Sequence, residues 1–332
     1  MSKVKDTAYL ALTAMLRARE AKMLDRDRMD RMLNASSYAD AAKLLVDCKY
    51  EDMSGLDSKM LDAVLNARKE GIFEEVYRMS PEKEPVEVFR LKYDYHNAKV
   101  IVKAAGVGVG GDHLLSDVGR VSADVIAKAY AEDHYSTLPA ALGKAVKEAK
   151  LMLAKSGNPQ LAEFILDRAY FEEMTALANQ QGSAFLQGYV KVMIDSANLR
   201  TAVRTVRMNK GVDFLMQALI AGGNVSPAKM AQAAVSGDGL AALFTATVLQ
   251  NAAAAGVEAM KGGSMTKFEL ACDNAVTAYL GGAKMVSFGC QPVIKYLALV
   301  EAETTAVRMI LSGKMAGIAP HVIRERLREI DA

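Results

Sequence analysis

The chain has 332 residues, a length that favours two domains and permits one or three. Its 41 lysines and arginines nearly balance 39 aspartates and glutamates, so we expect no nucleic-acid partner, which a basic domain usually marks. Three widely spaced cysteines, outside any CxxC or Cys/His pattern, argue against a zinc site and favour a reducing compartment. With no signal sequence and no uninterrupted apolar span, we expect a soluble, intracellular protein.

Residue choice predicts an all-α fold. Strong helix formers dominate, aromatic residues are 6% of the chain, and runs of alternating β-branched residues are nearly missing. An apolar stripe predicts a first long helix from about Asp6 to Leu33, and a second helix follows over Tyr38–Val46. Two prolines within a charged run predict a loop over residues 80–85.

An internal repeat organises the chain. The pattern Asp-x-x-Asn-x-basic, with a second basic residue four positions later, occurs twice about 100 residues apart, and a degenerate third copy follows after a similar interval. The copies are Asp94, Asn97, Lys99 and Lys103; then Asp195, Asn198, Arg200 and Arg204; then Glu303 at the Asn position, with Arg308 after it.

Two further elements recur in the same order. Upstream of the repeats stand E-x-x-x-D pairs, whose spacing places both carboxylates on one helix face. These pairs are Glu163 with Asp167, Glu269 with Asp273, and, as a weaker copy, Asp62 with Asn66. Downstream, a Gly-x-Val-Ser turn places Ser122 and Ser226 at helix N-caps. The three ordered elements predict three similar helical bundles, over residues 1–117, 118–221 and 222–332.

The role of the repeated polar residues has two readings. Asp94, Asn97, Lys99 and their copies are either satisfied inside each bundle, by the E-x-x-x-D helix for example, or they form an interface with another protein. The segment Gly222–Met260 holds only three charged residues. It is either buried in the third bundle or an apolar contact surface.

Patterns typical of enzymes lack their structural context. Residues 106–111 contain GxGxxG, but no βαβ pattern surrounds them, so we interpret these glycines as a helix stop. Ser226 and Ser264 fit SxxK by spacing but open helices, which favours capping. The histidines lack metal-ligand spacing, so neither a cofactor nor a metal site is predicted.

Several segments together resemble one protein family. Phe89–Lys99 resembles a hallmark of the central-stalk C subunit of V-type and A-type rotary ATPases, whose eukaryotic counterpart is called the d subunit. The opening Tyr9–Leu24, the middle Asp195–Arg204 and the end Phe288–Lys314 are similar to the same family. The resemblance spans essentially the whole chain.

The resemblance implies three helical bundles in a pseudo-threefold funnel, without catalytic residues or a membrane span of their own. Such a subunit receives the central axle of the ATPase head and sits on the membrane rotor ring of proteolipid subunits. It would be cytoplasmic, peripheral to the inner face of the membrane, and would link ATP chemistry to proton or sodium transport. Glu303 stands where the other two copies have asparagine, as members of that family tend to show, and Thr305 replaces the basic residue, so no polar role is expected at that site in the third copy.

Two other function classes remain open. An all-α enzyme acting on a metal-bound or phosphorylated substrate would reveal itself by intrinsic metal or nucleotide binding. A generic helical adaptor would differ from the rotary-ATPase subunit only in its partner.

Overall fold

The computed structural model describes residues 4–236 and 238–329, and every regular element in them is a helix, which confirms the all-α class. Sixteen α-helices occur in these ranges: α1 (Leu10–Glu20), α2 (Arg26–Asn34), α3 (Tyr38–Lys43), α4 (Ser58–Met79), α5 (Glu84–Val107), α6 (Ala123–Ala131), α7 (Ala140–Ser156), α8 (Pro159–Gln181), α9 (Ala184–Arg207), α10 (Val212–Ala218), α11 (Pro227–Val235), α12 (Gly239–Leu243), α13 (Gln250–Met260), α14 (Met265–Gly281), α15 (Cys290–Met315) and α16 (Pro320–Arg324). Short 3-10 helices lie at Asp6–Tyr9, Val46–Cys48, Asp112–Leu114 and Tyr135–Thr137. Within the described ranges no helix combines the length and apolar character needed to cross a bilayer.

The helices group into two compact units. The first is contiguous, Glu82–Val235, and contains α5 to α11. The second combines Val4–Pro81 with the chain from Ser236 onward, so it joins α1–α4 to α12–α16. The division into three repeats at residues 117 and 221 stays a prediction about sequence copies.

In the first unit, α8 packs against both α5 and α7, and α9 packs against α8, α10 and α11. These helices each direct an apolar stripe inward. Leu91, Ile126, Leu142, Leu166 and Leu199 are fully buried. Each such side chain contributes roughly 1.5–3 kcal/mol of burial free energy.

In the second unit, α15 is the central helix. It packs against α1, α2, α3, α4, α14 and α16. Leu33, Leu45 and Leu61 from the start of the chain share a buried cluster with Val307 and Ile310 of α15. The core of this unit therefore depends on side chains from both ends of the sequence.

The predicted single helix over residues 6–33 is wrong. A turn at residues 21–25 separates α1 from α2. Asp25 starts α2 by accepting a hydrogen bond from a first-turn N–H group (2.8 Å). The N–H of Leu24 points away from the helix and donates to Glu303 (2.7 Å). A stripe of apolar residues does not reveal that the carboxylates of Asp25 and Glu303 accept N–H groups at this turn.

The predicted breaks elsewhere fall close to the observed ones. α5 ends at Val107, and Gly108 follows with a φ of 72°, as a helix stop requires. The predicted loop at residues 80–85 is shorter, because α5 begins at Glu84 with Pro85 in its first turn, where proline is tolerated. The second predicted helix is also shorter and ends at Lys43.

The serine caps divide into two groups. Ser226 and Ser264 accept hydrogen bonds from first-turn N–H groups of α11 and α14 (3.4 and 3.3 Å), as predicted. Ser122 precedes α6, but its side chain makes no capping bond. The carboxylate of Asp117 replaces it by accepting from the N–H of Ala123 (2.9 Å). An acceptor from the preceding loop thus occupies the position predicted for the serine.

The weakly charged segment from Gly222 to Met260 is shared between the two units. Met230 in the first unit and Phe244 in the second are fully buried, whereas Val235 is 64% exposed. Neither reading, complete burial or a continuous apolar surface, describes the whole segment.

Candidate functional site

The carboxylate of Asp94, on α5, is fully buried and holds the turn before α6. Its Oδ1 accepts hydrogen bonds from the N–H groups of Arg120 and Val121 (2.8 and 3.1 Å), and its Oδ2 accepts from Arg120 Nε (2.7 Å). Arg120 also donates to Glu173 on α8 (2.8 Å), whose other oxygen accepts from the Tyr95 hydroxyl (2.8 Å). Burial raises the pKa of Asp94, and Arg120 with the two N–H donors offsets part of that shift. This cluster ties two helices to one turn.

Asp195, on α9, repeats this arrangement with neutral donors. Its Oδ1 accepts from the N–H of Val225 (3.1 Å), and its Oδ2 accepts from the N–H and the side-chain amide of Asn224 (3.1 and 2.9 Å). Asn224 therefore stands where the first copy has an arginine. Burial raises the pKa of Asp195, and these three donors offset part of the shift.

A glycine precedes each of the two turns. A Cβ atom on Gly119 would overlap Oδ1 of Asp94, and a Cβ atom on Gly223 would overlap Oδ1 of Asp195. Only glycine lets the backbone approach each carboxylate this closely.

The paired asparagines each bracket one residue of a loop. Asn97 donates to the carbonyl of Ser116 (2.7 Å) and accepts from the N–H of the same residue (3.0 Å). Asn198 makes the same two bonds to Ile220 (2.7 and 2.8 Å). Both asparagines are fully buried. Each pair of bonds satisfies the N–H and the carbonyl of one loop residue, which would otherwise have no hydrogen-bond partner in the interior.

Glu303, on α15, replaces asparagine in the third copy and is 1% exposed. One of its oxygens accepts from the N–H of Leu24 (2.7 Å), and the other accepts from the hydroxyl of Tyr50 (2.9 Å). The Arg68 guanidinium stacks over the Tyr50 ring, 3.9 Å from its centroid. Burial raises the pKa of Glu303, and its two donors oppose the shift. The third copy thus takes its hydrogen-bond donors from the start of the chain.

Basic residues of the first repeat pair with carboxylates from a different sequence copy. Lys99 and Lys103 on α5 contact Asp167 and Glu163 on α8, at 2.6 and 3.2 Å. The partner is thus an E-x-x-x-D helix, as one of the two readings suggested, but it is the helix of the second sequence copy rather than of the first. Spacing fixes which face of a helix carries a residue, but not which copy packs against that face.

The same displaced pairing occurs in the second unit. Arg308 on α15 contacts Asp62 (2.6 Å) and Asn66 (3.3 Å), both on α4. The last repeat of the sequence is thus completed by the first.

Comparison with known proteins gives a match over nearly the whole length. The family of the ATP synthase (C/AC39) subunit matches residues 12–326. This chain belongs to that family.

Similar curated proteins in the C/AC39 family come from bacteria and archaea. The C subunit of the V-type sodium ATPase of Enterococcus hirae is 24% identical over 327 residues, covering 97% of this chain and 98% of that protein. The C subunit of the A-type ATP synthase of Methanocaldococcus jannaschii is 22% identical, covering 96% and 86%. The corresponding A-type ATP synthase protein of Thermococcus onnurineus is 25% identical over 67% of this chain and 63% of its own length.

The remaining predicted residues of this C/AC39 chain have other neighbours. Arg200 donates to the hydroxyl of Ser196 (3.0 Å), one turn earlier on α9. Asp273 on α14 contacts Arg328 (2.7 Å), and Glu269 lies one turn before it, partly buried. Across residues 4–236 and 238–329, no three His, Cys, Asp or Glu side chains are grouped as metal ligands.

Sequence reasoning missed the partners of the buried acids. Arg120 lies at the variable position of the repeated Gly-x-Val-Ser element, whose glycines Gly119 and Gly223 stand at equivalent positions. No repeated pattern marks Glu173 or Tyr50. The available signal was the Gly-x-Val element that follows each repeated aspartate at a similar distance. This element predicts that the turn packs against the carboxylate of the repeated aspartate. It does not identify α8, which supplies Glu173 to the first cluster.

Proposed function

We propose that this chain is a non-catalytic central-stalk subunit of a V/A-type rotary ATPase. It would join the axle of the soluble ATPase head to the proteolipid rotor ring at the cytoplasmic face of the membrane. In that position it links ATP turnover to proton or sodium transport. The observation that carries the proposal is the family match over residues 12–326, supported by relatives named as C subunits along almost their full lengths.

The interior of the chain suits a part that transmits force. Torque is passed on only if helices and loops resist separate deformation. Asp94 and Asp195 fix their turns to long helices, and Asn97 and Asn198 fix the adjoining loops. Satisfied polar networks of this kind rigidify a core, because their low-dielectric surroundings make each broken bond costly.

The test is the assembly of a ternary complex from purified parts. The full chain is mixed with the axle subunit of the same organism, with the detergent-solubilised rotor ring, and with both together. Size-exclusion chromatography with mass determination should give a one-to-one complex with the axle and a joint complex containing all three. A chain that binds neither component contradicts the proposal. Nucleotide or metal binding by the isolated chain would favour the enzyme alternative instead.

A further inference from the structure

A cleft of about 540 Å³ opens within the second unit. α1 and α4 form its walls, and α15 contributes Tyr296, Val300 and Glu303 to its lining. Met15, Met23 and Ile72 make part of the lining apolar, and the two methionine side chains are flexible. Methionine-rich surfaces adapt to the shape of a binding partner.

The cleft carries more positive than negative charge. Arg19, Lys22, Lys49 and Arg68 line it, against two carboxylates, Glu75 and Glu303. Lys22 and Lys49 are exposed, and among the residues that the structure describes neither ammonium group has an acidic partner. The cations at the rim are therefore available to an incoming acid.

We propose that this cleft docks an acidic, amphipathic segment of a partner protein. Apolar side chains of the segment enter beside Met15 and Met23, while its carboxylates meet Arg19, Lys22 and Lys49. Under the proposed function this partner is the axle subunit, and to that extent the inference rests on the proposed function.

The buried carboxylate of Glu303 in the lining favours a protein segment over a small anion as the occupant of the cleft. Glu303 is 1% exposed, and both of its oxygens accept hydrogen bonds from within the chain. A compact anion that filled the cleft would lie close to this carboxylate, and like charges repel strongly in a desolvated site. An amphipathic segment keeps its charges at the rim and places only apolar groups deeper.

Glu75 is an internal competitor for the partner's carboxylates. Arg19 makes a two-pronged contact with both oxygens of Glu75, at 2.8 Å each, which joins α1 to α4. Both side chains are 36% exposed, so an incoming carboxylate can reach the pair from solvent. A carboxylate of the partner must take the place of Glu75 to engage Arg19. Removing the charge of Glu75 should therefore strengthen binding.

The experiment measures binding of two probes to the full chain by fluorescence anisotropy. One probe is the axle subunit, and the other is a synthetic helical peptide with glutamate and leucine on opposite faces. Lys22→Glu with Lys49→Glu should weaken both affinities about tenfold, because two favourable contacts become repulsive. Glu75→Gln should strengthen them roughly two- to fivefold. The matched control, Lys59→Glu with Lys267→Glu, changes the net charge equally at exposed sites outside the cleft lining and should leave affinity within about twofold.

The outcomes separate this inference from the proposed function. Binding of the axle with no response to the cleft variants would overturn the cleft and leave the function standing. Binding of the peptide in the predicted variant order, with no binding of the axle, would support the cleft and contradict the axle contact of the proposed function. Failure of the wild-type chain to bind either probe would overturn the cleft and the axle contact, and the proposed function falls as a whole if the rotor ring is not bound either. NMR of methyl-labelled methionine should show the Met15 and Met23 signals shifting with the peptide, and unshifted signals would place any binding elsewhere.

Discussion

Replacing Asp195 with alanine removes the acceptor of three hydrogen bonds in the first unit. Val225 is 7% exposed, so its N–H would remain buried without a partner, which costs about 1–3 kcal/mol. The two donors of Asn224 belong to an exposed residue and can bond to water instead, so they add little to the loss of stability. The substitution also removes the cost of burying the Asp195 carboxylate, which offsets part of the loss in stability. We expect the free energy of unfolding to fall by about 1–3 kcal/mol.

Urea unfolding followed by circular dichroism measures this loss, and hydrogen exchange at the Val225 amide localises it. The exchange measurement matters because a chain with two units need not unfold in a single step. Glu132→Ala is the matched control, since it removes an exposed carboxylate from the same unit and should change stability by less than about 0.5 kcal/mol. Unchanged stability and unchanged exchange in Asp195→Ala would refute the structural role. If axle binding were lost at the same time, Asp195 would belong to an interface.

Three further changes have definite expected results. Gly223→Ala places a Cβ atom against a buried carboxylate and should cost about 1–3 kcal/mol by urea unfolding, whereas Gly110→Ala, with no atom within 4 Å of the new Cβ, should be nearly neutral. Burial raises the pKa of Glu303, so its contribution to stability is fullest below about pH 4 and is lost as the pH rises through the raised value. The unfolding free energy of wild type relative to Glu303→Gln should therefore fall as the pH rises above about 4.5, the ordinary value for a glutamate, and an increase would contradict the assignment. Lys99→Ala breaks the ion pair with Asp167, whose two side chains are 34% and 38% exposed. A double-mutant cycle of the pair should therefore give a coupling free energy of about 0.2–1 kcal/mol. A larger value would mean that the pair is more desolvated than its exposure indicates.

Composition and short-range pattern predicted the helical class and several helix ends. Gly108 and Ser264 behave as the sequence indicates, because a left-handed turn and a capping hydroxyl act on residues within one turn of themselves. Local chemistry of this kind can be read without knowledge of the packing.

Contacts between distant residues could not be predicted in the same way. Nothing in the spacing of Asp94 shows that Arg120 and Glu173 surround it, and nothing near Glu303 indicates Leu24 as its donor. The repeated acids and asparagines on α5, α9 and α15 are all buried, but the helices that pair with Lys99 and Arg308 come from other copies. Burial also decides the direction of the pKa shifts at these acids, and burial follows from packing.

The second unit has a consequence for the order in which the chain folds during synthesis. Residues 82–235 are contiguous, so the first unit can complete its core as soon as they leave the ribosome. Helices α2 to α4 must wait for α15, whose side chains complete their shared cluster. At translation rates of about 5–20 residues per second, that wait lasts roughly 10–50 seconds. During this interval the cluster around Leu33, Leu45 and Leu61 lacks the side chains of α15, and the newly made N-terminal segment is the part of the protein that chaperones would most need to shield.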